Sequence, residues 1–196
     1  YVDLSRKSIF LFSNHDDYYT PKSAWNDIKH ILNEKGYKKI FESFLLNSNE
    51  QSKKYLQELG FSVIGNKNID FLDKSTYTED MKNKNYDLII SNPPFQRIQS
   101  YNKRKESLKY KCIEELLKND KPFIILLNST NIFAKWYSHL LKDYDAEKYI
   151  KYIIPSKKIE YDKYEKGGKI KMEKKSNVSF NTIYICYKCI DSNIHL

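Results

Sequence analysis

Glycine is scarce in this chain, at 5 of 196 residues, and no GxGxxG occurs. The usual dinucleotide-binding fingerprint is therefore excluded, and with it the simplest case for a nicotinamide-dependent oxidoreductase. Cysteine is scarcer still. Three residues, an odd number, do not make a disulfide framework and suit a reducing compartment. Cys186 and Cys189 form a CxxC, but a single pair without a second is expected to be structural, so no metal site is expected. No run of 18 apolar residues is present, so no membrane-spanning helix is expected. The first residues mix polar and apolar types without a cleavage pattern, so no secretory signal is expected and the expected location is the cytoplasm. The chain opens on Tyr1 rather than Met, which is the expectation for a fragment or a processed product.

What remains is aromatic and basic. A hydrophobic fraction of 40% with 15% aromatics describes a globular chain and argues against disorder. Its length suits one domain spanning 1–196. The formal net charge is +9. Spread evenly, that is a solvated lysine surface; clustered, it attracts a polyanion. Two clusters stand out. Segment 96–111 carries Arg97, Lys103, Arg104, Lys105, Lys109 and Lys111 against Glu106. Segment 156–175 is lysine-rich, with Tyr161 and Tyr164 interleaved and a Gly167-Gly168 turn. Either reads as a solvated loop or as a grip on a phosphate backbone.

The organising stretch is YDLIISNPPF at 86–95. Tyr86 to Ser91 reads as a buried parallel strand. Pro93 and Pro94 lack N–H donors and fix φ, so the strand stops at Asn92 in a stiff turn. Open α/β sheets bind ligands at such carboxyl ends. The residues suit one task. An exocyclic amine on a base is a poor nucleophile, because its lone pair is drawn into the ring. The Asn92 side-chain oxygen and the Pro93 carbonyl are two acceptors that can bind its N–H bonds and return that pair to nitrogen. Phe95 offers a ring for stacking on the base.

Around this strand the pattern alternates. Thr20 and Pro21 read as the cap and first residue of a helix running to about 34, with Trp25, Ile28, Ile31 and Leu32 on one face. Segment 39–44 reads as the first parallel strand and 61–64 as the second, with a helix around Tyr55, Leu56 and Leu59 between them. Segment 122–127 is another buried strand, followed by a helix from about Ile132 that carries Phe133 and Trp136. Segment 149–154 is a strand stopped by Pro155. The alternation in 183–187 predicts a last strand that is at an edge or antiparallel, and 191–196 reads as a loose end.

SNPPF after an apolar strand resembles the catalytic motif of S-adenosylmethionine-dependent methyltransferases that act on amino groups, above all the adenine-specific DNA enzymes. The resemblance covers roughly 18–188. It implies a Rossmann-like α/β fold: a mostly parallel sheet with a reversed last strand and helices on both faces. It places a cofactor half at about 18–85 and a catalytic and substrate half at about 86–190. It implies S-adenosylmethionine as cofactor, held by Tyr19, Thr20 and Pro21 at the methionine carboxylate, by Glu42, by Asn66 at the ribose, and by Asp70 and Phe71 at the adenine ring. Asn92, Pro93, Pro94 and Phe95 carry the catalytic role. DNA is the expected partner, with RNA possible, and the target base leaves the duplex. Arg97, Lys103 and Arg104 would meet the substrate, and Phe180, just before the last strand, the extruded base.

One departure is large. The family has a glycine-rich turn after the first strand; here it is Glu42-Ser43-Phe44-Leu45-Leu46-Asn47-Ser48. Glu42 and Phe44 match the pattern and the glycines are missing, so Leu45 and Leu46 put bulk where cofactor should lie. Asn47 is the residue there best suited to a left-handed turn. Two alternatives stay open: a non-catalytic DNA-binding subunit, and the same chemistry on RNA bases or a protein glutamine. The recognition sequence and oligomeric state are not legible.

Overall fold

The computed structural model describes residues 18–45, 50–93, 108–163 and 180–196. Among these, strands β2 (Lys39–Glu42), β3 (Ser62–Ile64), β4 (Leu88–Ser91), β5 (Phe123–Asn128), β6 (Ile150–Ile154), β8 (Thr182–Tyr187) and β9 (Ile194–His195) form one sheet. Its order is β3-β2-β4-β5-β8-β6-β9. The β2–β3, β2–β4, β4–β5 and β6–β9 pairs are parallel, and β8 runs antiparallel to both β5 and β6. A short ribbon of β1 (Tyr18–Tyr19) and β7 (Asp162–Lys163) stands apart. The expected mostly parallel sheet with a reversed strand is thus present.

The apolar strands are explained by cover on both faces. Leu88 and Ile90 point into a cluster with Trp25, Ile28 and Leu32 of α1 (Lys22–Glu34) and Leu56 of α2 (Gln51–Glu58). Ile89 points into the other cluster, with Met81 of α3 (Glu79–Lys82), Ile113 and Leu116 of α4 (Leu108–Asn119), and Tyr137 and Leu140 of α5 (Lys135–Asp143). All four β4 residues are buried. A strand buried on both sides reads as a continuous apolar run. Asp87 fixes its entry, accepting from the Lys38 and Lys39 amides at 2.8 Å each.

Several local expectations are corrected. Pro21, not Thr20, is the N-cap of α1; its ψ of 154° is extended, so the helix starts at Lys22, and the Pro21 carbonyl accepts from Ala24 N at 3.1 Å. β2 ends at Glu42 rather than at residue 44. α5 begins at Lys135, because Ser129–Phe133 is a 3-10 turn capped by the Asn128 side chain; Phe133 is 83% exposed instead of facing the core. β8, expected at an edge or antiparallel, is antiparallel to both β5 and β6 and interior, with all six residues buried. The tail is not loose: β9 pairs with β6. Tyr161 does not reach out from a basic loop. It is fully buried, and its hydroxyl is 3.1 Å from Thr182 Oγ1. Cys186 and Cys189 are buried free thiols, and Cys189 Sγ donates to the Phe123 carbonyl at 3.3 Å.

The strand order reverses between β2 and β4: the chain passes from β2 outward to β3, then returns to β4 on the other side. This is the switch point where open α/β sheets form a crevice. Gly65, just past β3, lets the backbone close against it. Its φ is +109°, and a Cβ there would stand 2.3 Å from the Glu42 carbonyl oxygen. Both the left-handed φ and the contact exclude a side chain. Gly65→Ala is expected to lose about 1–3 kcal/mol of stability, read as a lowered urea midpoint at unchanged slope; an unchanged midpoint would show that the β2–β3 junction relaxes freely.

Candidate active site at the sheet switch point

Glu42 ends β2 beside β4, with Cα register to Ile90. Its side chain is 3% exposed, and its carboxylate is surrounded by donors. Oε1 accepts from the Ser91 hydroxyl at the end of β4 and from Phe44 N at 3.4 Å. Oε2 accepts from the Ser52 hydroxyl of α2 at 2.6 Å, and the Ser43 amide adds a further bond. Ser52 in turn accepts from Trp25 Nε1 of α1 at 2.9 Å. One buried carboxyl therefore joins two strands and two helices. Burial raises its pKa to about 7, against the lowering effect of its hydrogen bonds.

Two buried polar atoms beside this group have no hydrogen-bond partner among the described residues: Ser43 Oγ and Asn92 Oδ1. Each belongs to the residue that follows one of the bonded pair, Ser43 after Glu42 and Asn92 after Ser91. Pro93 is buried next to Asn92. Pro94, Phe95, Arg97, Lys103 and Arg104 lie outside the described residues, as does the rest of segment 94–107. At its far end, Lys109 Nζ of α4 lies 3.2 Å from Asn131 Oδ1.

The other expected site residues divide. Tyr19 pairs through β1 with Asp162, and Thr20 is buried just before α1. Trp25, within α1, reaches the Glu42 group through Ser52. Asn66 follows β3; its Oδ1 accepts from Asn68 N at 2.9 Å and shapes the turn. Asp70 is buried and opens a turn, its carbonyl accepting from Asp73 N at 3.0 Å. Its Oδ1 accepts from Leu72 N at 2.9 Å, and its carboxyl pKa is raised, chiefly by burial. Phe71 is core: its ring centroid lies 6.1 Å from that of Phe41 and 5.1 Å from that of half-buried Phe44. Phe180 is partly buried against the opposite cluster, 6.4 Å from the Tyr161 ring. Sequence reading missed Ser43, Ser52 and Ser91. The available signal was Ser91 itself, a hydroxyl at the end of a strand otherwise made of Leu and Ile.

The Glu42 carboxyl predicts a pH dependence of stability. Its pKa is near 4.5 unfolded and about 7 folded, so the stabilisation is complete below 4.5 and is lost as pH rises through 7. The difference is on the order of 3 kcal/mol. Glu42→Gln, which imitates the neutral acid, is expected to gain stability relative to wild type between pH 5 and pH 8 in paired urea titrations. A constant offset between the two proteins across that range would show that Glu42 does not titrate there.

No family model matches the sequence, and no curated protein matches it either. Among solved structures the chain is similar to a Listeria monocytogenes protein classed by inference as a class I S-adenosylmethionine-dependent methyltransferase. The TM-score is 0.55 at 12% identity, over 96% of this chain and 68% of that one. At that identity the likeness is one of fold. The chain has the Rossmann-like fold of the class I methyltransferases.

Proposed function

We propose that the chain transfers a methyl group from S-adenosylmethionine to the exocyclic amino group of adenine in DNA. One observation carries the reading. Asn92 Oδ1 is buried and has no partner among the described residues, at the carboxyl end of β4, beside the switch point and directly before Pro93. A buried acceptor left unsatisfied costs about 1–3 kcal/mol. A planar amine bound there would offset that cost and be activated by it. Asn92 accepts one N–H of the amine and the Pro93 carbonyl the other, which concentrates the lone pair on nitrogen. Bound S-adenosylmethionine supplies a sulfonium methyl group, whose transfer leaves a neutral thioether and one proton for solvent to take from nitrogen. The second unpartnered atom, Ser43 Oγ, fits a polar donor at the same crevice. The net charge of +9 and the run of Lys and Arg after Phe95 favour a polyanionic substrate. Adenine must be extruded from the duplex to reach Asn92.

A second reading, a non-catalytic DNA-binding subunit, is favoured by Leu45. Its side chain is buried, with Cδ1 3.6 Å from where a Gly65 Cβ would stand. Leucine therefore fills space at the β2–β3 ends that the family's glycines leave open.

Mass spectrometry of DNA incubated with the protein and methyl donor separates the readings. N6-methyladenine is expected with wild type and at least 100-fold less with Asn92→Ala. Methyladenine undiminished in the variant would contradict the role of Asn92. No methyladenine with wild type, despite DNA binding, would favour the second reading. Radiolabel appearing only in RNA or protein would move the same chemistry to another substrate.

A further inference from the structure

Glu42 ends β2 and Ser43 follows it directly. Their environments are opposite. Glu42 has every carboxylate oxygen engaged: by Ser91 and the Phe44 amide on Oε1, and by Ser52 on Oε2. It is buried, and Trp25 Nε1 donates to its partner Ser52 Oγ at 2.9 Å. Nothing is left on it to offer a ligand without breaking a bond to α2 or β4. Ser43, the next residue, is 2% exposed, and its hydroxyl meets no partner among the described residues. Buried hydroxyls in native proteins are nearly always bonded, so an orphan at a sheet switch point calls for an explanation.

We propose that Ser43 is the residue through which β2 binds the methyl donor, while Glu42 is a positioning residue that acts through Ser91 on Asn92. The assignment rests on the function proposed above. The Ser43 hydroxyl can both donate and accept, so it suits the aminocarboxylate end or a ribose hydroxyl of the donor. Glu42 holds Ser91 from one side, and Ser91 immediately precedes Asn92. The rotation of Asn92 about the strand end is therefore limited by a buried bond between the ends of the adjacent strands β2 and β4. Gly65 supports the same arrangement, since its lack of a side chain admits the Glu42 carbonyl.

Calorimetric titration of the full chain with S-adenosylmethionine, together with thermal melts and methylation kinetics, tests both halves. Ser43→Ala is expected to weaken donor binding at least tenfold while leaving the melting temperature equal or higher, because it deletes an unsatisfied hydroxyl. Glu42→Gln is expected to bind the donor within threefold of wild type. Glu42→Ala should lower kcat tenfold or more with the donor KM changed little, and the Gln variant should recover most of that loss. Ser43→Ala binding the donor as wild type does would overturn the Ser43 assignment. Glu42→Gln losing donor affinity as strongly as Ser43→Ala would overturn the positioning role. If wild type itself shows no saturable donor binding, the proposed function fails along with this assignment; normal wild-type binding with an unaffected Ser43→Ala variant removes only the latter.

Discussion

A single buried carboxyl holds the carboxyl edge of the sheet together. Glu42 takes hydroxyls from Ser52 on α2 and Ser91 on β4, and through Ser52 it reaches Trp25 on α1. Burying a carboxylate is unfavourable unless donors surround it. Four donors do, and its pKa still rises to about 7. Such a group is retained against its own desolvation, and what it secures is geometry: the end of β4 is tied to its neighbour one residue before Asn92.

The fold was largely legible because its signals are strong ones. The β4 run of Leu and Ile is buried on both faces, and the Trp25, Ile28, Ile31 and Leu32 spacing gave α1 its packed face. The misreadings were made where tertiary context overrides local pattern. Alternation in β8 predicts an edge or antiparallel strand; it is antiparallel but interior, and all six of its residues are buried, with the Tyr184 hydroxyl donating to the Ala24 carbonyl at 2.6 Å. The Ile194–His195 tail looked loose because two residues carry no periodicity; it is held by pairing with β6, and Leu196 N bonds the Ile154 carbonyl at 3.0 Å.

At the candidate site the strand end was legible in the sequence and the hydrogen bonding behind it was not. Asn92 and Pro93 stand at the strand end as read. The serines were invisible, since nothing in a lone Ser tells a surface hydroxyl from one bonded to a buried carboxyl. Phe71, which the resemblance places at the cofactor's adenine ring, is buried against the rings of Phe41 and Phe44. Half-buried Phe44 is the ring of this group that remains nearest the surface.

The central claim is that the ends of β2 and β4 form one ligand crevice, with Ser43 and Asn92 as its polar contacts. A crystal structure of the full chain with S-adenosylhomocysteine tests it most directly. The account predicts the ligand over the switch point, a polar atom within hydrogen-bond distance of Ser43 Oγ, and its sulfur facing the Asn92 side. Ligand density elsewhere on the sheet, or a crevice closed by Leu45 at saturating ligand, would contradict it.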